Sequence, residues 1–355
     1  MSRRRARDLG LPFPGVPGPL NAITDVPGLA VGFATLTDPA QDLRTGVTAI
    51  RPRPDAGLPL PVRAGHFALN GNGEMTGTHW IHDAGYLIGP VMITNTHAVG
   101  AVHHGAVAWM IDHYADWFRS EHAWAMPVVA ETYDGVLNDI TRLAVTPEHA
   151  RAALDAAAGG SVAEGSSGGG NGMVAYGFKG GTGTASRRVG LAAQDWTLGA
   201  LVQANHGIRP WLTVLGRPVG QRMPEPGALG RETGSIIVVL ATDAPLSALA
   251  LRHLARRAAL GVGRGGSPGG NNSGDLFLAL SVAESGPMPQ WAGPMVGGPV
   301  LNQEFLDPLY LAAVEAVEEA VVNALVAGET VVAVKPRGRI VPALDPDSLR
   351  AIFAG

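Results

Sequence analysis

Apolar and polar positions follow two rhythms along this chain. Short runs with aliphatic residues on both parities read as strands covered on both faces. They are "PVMITN" (90–95), "MPVVAE" (126–131), "GALVQAN" (199–205), "GSIIVVLA" (234–241) and "DLFLALS" (275–281). Helical stretches lie between them. "HAVGAVHHGAVAWMIDHYADWF" (97–118) is long and mostly apolar. "TPEHARAALDAAAGG" (146–160) offers Thr146 as N-cap, Pro147 at the first position and Gly159 as its stop. "DAPLSALALRHLARRAALG" (243–261) opens on Asp243, ends at Gly261 and carries its basic residues in the second half. "DPLYLAAVEAVEEAVVNALVAG" (307–328) has Asp307 as cap, Pro308 just inside and Gly328 just past the end. Ala and Leu cover several faces of these last two helices, which predicts that each packs on a sheet. The class is therefore α/β, with sheets covered by helices on their outer faces. The strand order is not carried by this pattern. Residues 1–25 read as an irregular lead-in, and no internal repeat or long linker divides the chain, so 1–355 is expected to form a single domain.

Composition narrows the function. Hydrophobic residues make up 46% of the 355 and charged residues 16%, enough to bury a large core and too apolar for disorder. The net charge of -4, with no long basic run, excludes an electrostatic nucleic-acid face. Cysteine is absent, which removes disulfides, thiolate nucleophiles and Cys-ligated zinc together. A basic cluster opens the chain but no apolar h-region follows it, and no apolar run is long enough to span a membrane. The expectation is a soluble, cytoplasmic protein.

Glycine, at 49 residues, gathers in polar loops: 70–80 ("NGNGEMTGTHW"), 131–139 ("ETYDGVLND"), 164–173, 177–187 ("GFKGGTGTASR") and 269–275 ("GGNNSGD"). No loop matches the P-loop pattern, and G-x-G-x-x-G occurs only in "GVGRGG", after a helix instead of a strand. His103 and His104 are neighbours, so on a helix they point about 100° apart and do not converge on a metal. Neither "GGSPGG" nor "NNSGD" is a clean nucleophile elbow. Ser273 remains, read either as part of a plain glycine-rich turn or as a nucleophile that becomes an N-terminus. A cut between Asn272 and Ser273 would put an α-amine of reference pKa about 8 beside the hydroxyl it must activate. Ser273 attack on the Asn272 carbonyl, followed by hydrolysis of the ester, would make that cut. Asp275 first looks like a partner for the hydroxyl and, with the supporting groups sought elsewhere, reads as a local structural residue; Met75 and Trp80 line an apolar pocket or, the favoured reading, are core.

The blocks "NGNGEMTGTHW", "ITNTHAVG", "ETYDGVLNDI", "FKGGTGTASR", "LVQANHG", "GSIIVVLATDAPL", "NNSGDLFLALS" and "VEEAVVNAL" together resemble the autoprocessing serine aminopeptidases. That family includes the L-aminopeptidase/D-amidase/D-esterase enzymes and the β-peptidyl aminopeptidases. The resemblance implies a four-layer α/β/β/α sandwich of the N-terminal-nucleophile hydrolase type with its own topology. It also implies self-cleavage into chains 1–272 and 273–355 and assembly as a homotetramer. The implied reaction releases the N-terminal amino acid from small peptides, amides or esters, through an acyl-enzyme on Ser273, with no metal or cofactor. Carried over by position, Glu131 matches the acid that holds the substrate's ammonium group. Tyr133 and Asn205 match the oxyanion donors, and Glu304 matches an acid near the nucleophile's amine. Asn302 stands where the β-peptidyl branch has a serine. The alternatives are an amino-acid acetyltransferase of related fold, which would use threonine at the cut, and an uncut protein whose glycine loops hold an anionic small molecule.

Overall fold

In the computed structural model, residues 4–53, 58–224, 232, 234–283, 286–287, 289–295 and 298–354 are described. The strands are β1 (Ala30–Asp38), β2 (Leu43–Arg51), β3 (Pro61–Ala68), β4 (Tyr86–Ile88), β5 (Val91–Asn95), β6 (Val128–Thr132), β7 (Val174–Ala175), β8 (Phe178–Lys179), β9 (Gly181–Leu191), β10 (Gln194–Asn205), β11 (Ser235–Thr242), β12 (Asp275–Ser281), β13 (Val331–Val332) and β14 (Ile340–Val341). The helices are α1 (Thr78–Ala84), α2 (Val99–His113), α3 (Ala115–Ser120), α4 (Pro147–Asp155), α5 (Val219–Arg222), α6 (Ala248–Arg264), α7 (Asp307–Val326) and α8 (Pro346–Ala354).

Two sheets face each other. One has the order β1-β2-β5-β6, the other β4-β3-β12-β11-β10-β9. Neighbours are antiparallel except for β5/β6 and β11/β12. Because β12 lies between β3 and β11, it is buried on both faces and reads as a continuous apolar run. Three apolar cores separate four layers. Ile93, Ala130, Leu201, Ile237 and Leu278 fill the space between the sheets. Val129, Met92, Trp109 and Leu154 pack α2 and α4 on the smaller sheet. Val238, Phe277, Leu254 and Val317 pack α6 and α7 on the larger one. The order is thus α/β/β/α. Met75 is 4% exposed and belongs to the inter-sheet core.

The expected strands appear within two residues of their predicted bounds except β10, which starts five residues earlier than expected, at Gln194, and the differences elsewhere have local causes. The helix predicted over 97–118 is broken at Tyr114, whose φ of -114° and ψ of 39° leave the helical region. The break lets Trp109, Tyr114 and Trp117 enter one core. Helix α4 stops before Gly159 because Ala158 is drawn into a bridge with Val31. Asp243 does not cap α6. Its carboxylate instead accepts from the Thr197 N–H at 2.7 Å, and Ser247 is the cap. The stretch 177–187 is not a loop: it carries the short β8 and, from Gly181, strand β9. A Cβ at Gly183 would lie 2.0 Å from the Ala320 carbonyl oxygen, so glycine there lets α7 press onto the sheet.

Candidate active site

Ser273 sits at the head of β12, completely buried. A turn closed by its own N–H on the Gly270 carbonyl (2.8 Å) delivers it there. Three anchors fix this turn. Asn70 donates to the same Gly270 carbonyl at 3.0 Å and accepts from the Asp275 N–H at 3.0 Å. The Ser235 hydroxyl accepts from the Gly274 N–H at 3.0 Å. Glu232 takes the Gly270 N–H on one oxygen (3.0 Å) and the Gly207 N–H on the other (2.6 Å). A Cβ at Gly270 would meet Glu232 at 2.3 Å, and one at Gly274 would meet the Asn72 carbonyl oxygen at 2.3 Å. Close backbone approach therefore accounts for both glycines.

The Ser273 hydroxyl donates to Asp275 Oδ1 at 2.5 Å. The expectation that Asp275 is only a local structural residue is thereby corrected: it holds the hydroxyl proton. Residues i and i+2 share a side of an extended segment, which is why the pair meets. Burial lifts the Asp275 pKa to about 6, the Glu232 carboxylate adds to the lift, and the bond from Ser273 opposes it. The Asn272 carbonyl accepts from Asn72 Nδ2 at 2.6 Å.

Glu131 lies at the end of β6, 4% exposed. Its Oε1 accepts from the Glu74 N–H at 3.0 Å and its Oε2 from the Thr96 hydroxyl. Burial raises its pKa, and these bonds pull the other way. A Cβ at Gly73 would fall 3.2 Å from Glu131 Oε1 and 3.4 Å from Gly274 Cα. Gly73 thus lies between this carboxylate and the backbone beside Ser273.

Asn205 closes β10 and pairs in register with Ser235, the residue that holds Gly274. Its Oδ1 accepts from the Val174 N–H at 2.9 Å, and its Nδ2 donates to the Tyr133 carbonyl at 2.9 Å, leaving one amide proton. Tyr133 is 38% exposed on the loop after β6, with its ring against Gly135. The same end of the sandwich thus carries Ser273, Asn272, Glu131, Tyr133 and Asn205.

Asn302 and Glu304 are not brought there. Both are exposed and bond to each other, the Glu304 N–H donating to Asn302 Oδ1 at 3.2 Å. Their segment hangs from the Pro245 carbonyl through Leu301, beyond the end of β11 opposite Ser273. The seven residues of β12 put about 20 Å between the two ends. Within the single chain Glu304 and Asn302 therefore lie away from Ser273, while Asp275 accepts from its hydroxyl and Glu232 holds Gly270 of its turn.

Sequence reasoning missed Asn70, Asn72 and Glu232. Asn70 and Asn72 stood in a glycine loop already singled out, while Glu232 carried no local signal. Beneath the site, the Tyr176 hydroxyl meets His206 Nε2 at 3.2 Å. Burial alone lowers the His206 pKa to about 3 and is the main cause of the rise at Tyr176, so both stay neutral at pH 7. Among the described residues, no group of three or more His, Asp or Glu side chains forms a metal site, and no helix is long and apolar enough to cross a membrane.

Comparison with known proteins gives a consistent result. The model of Peptidase family S58 matches residues 21–339. A β-peptidyl aminopeptidase, BapA, of Sphingosinicella microcystinivorans is 47% identical over 98% of this chain and 91% of its own length. The solved L-aminopeptidase D-Ala-esterase/amidase of Ochrobactrum anthropi, described as a prototype of the serine aminopeptidases and a variant of the Ntn-hydrolase fold, superposes with a TM-score of 0.93. It is 54% identical, with 99% of this chain and 98% of that one covered. A β-aminopeptidase of Burkholderia sp. superposes with a TM-score of 0.88 at 45% identity, covering 99% and 98%.

Proposed function

The chain belongs to peptidase family S58 and is a serine aminopeptidase/amidase with a variant of the Ntn-hydrolase fold, and on that premise we propose that Ser273 is its nucleophile, exposed as an N-terminus by a cut after Asn272. The observation that carries this reading is the buried Ser273 hydroxyl at the head of a central strand, with Gly73 lying between the adjoining Gly274 and the Glu131 carboxylate. Cleavage would leave a large chain, 1–272, and a small chain, 273–355, within one catalytic domain.

In the cut enzyme the neutral α-amine of Ser273 takes the hydroxyl proton, and Oγ attacks the carbonyl of the first residue of the substrate. Glu131 holds that residue's ammonium, since each of its oxygens keeps a lone pair after the Glu74 and Thr96 bonds. In this scheme the remaining Asn205 amide proton and the Tyr133 hydroxyl donate to the developing oxyanion. The amine's proton passes to the leaving group, and water then hydrolyses the acyl-enzyme. No metal or cofactor enters the scheme. Substrates are small peptides, amides or esters with a free amino end, by analogy with the relatives' named activities. Assembly into homotetramers and a cytoplasmic location rest on the family resemblance. Exposed apolar side chains at Met295, Phe305 and Leu311 offer surface for subunit contact.

Denaturing mass spectrometry tests the reading: two fragments dividing after Asn272 are expected, and a Ser273→Ala protein stays whole and does not hydrolyse aminoacyl p-nitroanilides. Activity of the parent should rise as the amine deprotonates near pH 8. A single intact chain after long incubation, or an active Ser273→Ala protein, would sink the proposal.

A further inference from the structure

Tyr133 and Asn205 serve the same oxyanion in the scheme above, yet the fold holds them differently. Asn205 lies in a sheet, laddered to Ser235 of β11, and its amide is bonded through both Oδ1 and Nδ2. Tyr133 follows β6, an edge strand of the smaller sheet, and belongs to the loop 133–139. At the base of that loop the Asp134 carbonyl accepts from the N–H groups of Leu137 and Asn138, each at 3.0 Å. The Tyr133 ring rests on the tip: a Cβ at Gly135 would fall 2.3 Å from the Tyr133 hydroxyl oxygen.

This tip is gripped from outside by the β13/β14 hairpin. The Val136 carbonyl accepts from the N–H groups of Val334 at 2.8 Å and Lys335 at 3.1 Å. Leu137, 2% exposed, forms a small apolar core with Val331, Ala333 and Val341 of the hairpin, and Val136 packs against it. The hairpin is itself tied down. Its Ala333 N–H donates to the Arg339 carbonyl at 2.7 Å, and just past it the Pro342 carbonyl accepts from the Lys179 N–H of β8 at 2.8 Å. A carbonyl with two donors and a buried leucine thus decide where the Tyr133 loop stands.

We propose that the β13/β14 hairpin is a positioning element for catalysis, and that Val334, Val341 and Leu137 are the positioning residues through which it sets the Tyr133 hydroxyl. The inference rests on the reading of Tyr133 as an oxyanion donor. Such a donor works within about 2.7–3.1 Å of the oxygen, and a misplacement of about 1 Å can cost two orders of magnitude in rate. Tyr133 is half-exposed, so its own side-chain contacts hold it weakly and the backbone beneath it must be fixed by something else. The proposed cut adds a second consequence. Tyr133 would stand on the 1–272 piece and the hairpin on the 273–355 piece. The smaller piece would then supply the nucleophile at its start and the setting of an oxyanion donor near its end.

The test is steady-state kinetics of the full chain on L-alanyl p-nitroanilide. The proteins are the parent, Val334→Pro, Val341→Ala, the exposed control Val332→Ala on the same hairpin, and Tyr133→Phe alone and combined with each of the first two. Val334→Pro removes one of the two N–H groups on the Val136 carbonyl, and Val341→Ala empties part of the small core. The expected result is a kcat about tenfold lower in both, with KM within about twofold of the parent and no change in Val332→Ala. In the Tyr133→Phe background neither substitution should lower kcat further, because the group it positions is gone. A loss of the same factor in both backgrounds assigns the hairpin to the general scaffold and overturns the inference. A loss carried by KM, or variants with the parent's kcat, overturn it as well. If Val334→Pro does not fold, Val341→Ala decides; if neither folds, the hairpin belongs to folding and the inference falls. Tyr133→Phe at the parent's kcat overturns instead the reading of Tyr133 on which it rests.

Discussion

Replacing Glu131 by Gln tests whether this carboxylate selects for a free amino end. Glu131 is 4% exposed and already engaged by two donors, so an ammonium placed on its remaining lone pairs forms a charge-assisted hydrogen bond in a dry setting. Such a bond contributes about 1.5–3 kcal/mol. At about 1.4 kcal/mol per decade, kcat/KM for an aminoacyl p-nitroanilide should fall roughly 10- to 150-fold in Glu131→Gln. Gln keeps the shape and one acceptor for the Glu74 N–H, while the Thr96 hydroxyl can turn to accept from the new amide, so the fold is expected to hold. The assay compares each substrate with its N-acetylated form. Loss confined to the free-amine substrate is expected, because only that substrate carries the charge. Burial raises the Glu131 pKa, so binding in the parent should weaken as pH falls through that raised value, and this acid limb should vanish in the variant. Equal losses for free and acetylated substrates would refute the reasoning.

Three further predictions concern the scaffold. Asp134 is fully buried and burial lifts its pKa to about 6 from 3.8, so the folded state holds its proton longer than the unfolded state and stability falls as pH rises through that window. Chemical denaturation should find Asp134→Asn and the parent equal below about pH 4 and the variant ahead by up to about 3 kcal/mol above about pH 6, a gap of two pKa units; a gap that does not change with pH would contradict it. Arg187→Met leaves Glu315 and Glu319 without the guanidinium that sits 3.3 and 2.8 Å from them, and should cost about 3–5 kcal/mol in the same measurement. Gly183→Ala forces its new methyl group against the Ala320 carbonyl and should destabilise by about 1–3 kcal/mol, seen as a lower melting temperature.

Much of the fold was legible because its central strands are covered on both faces, and such strands announce themselves as unbroken aliphatic runs. Strand β9 did not, since its glycines serve the approach of α7, a contact made with residues more than 130 positions away. Asp243 looked like a helix cap because caps are recognised locally, yet its partner is Thr197 on a neighbouring strand. The site divides in the same way. Ser273 stood out from its own loop, and Glu131, Tyr133 and Asn205 entered by resemblance. Glu304 and Asn302, matched by position, lie at the other end of the sandwich in the single chain, while the i, i+2 acid Asp275 had been set down as a local structural residue. Asn72 and Glu232 touch the turn only after β3 and β11 have been laid beside β12. No spacing along the chain encodes that encounter.

Strand β12 runs down the middle of the larger sheet, and α7 is buried along most of its length. A cut just ahead of β12 would therefore change covalent connectivity without freeing either piece, because release of the 273–355 fragment would mean tearing out a central strand. Its cost would appear only on unfolding. Before the cut the chain unfolds and refolds as one molecule; afterwards two molecules must find each other, so recovery from denaturation should depend on protein concentration. Self-activation would thus turn a reversible folder into one that survives by not unfolding.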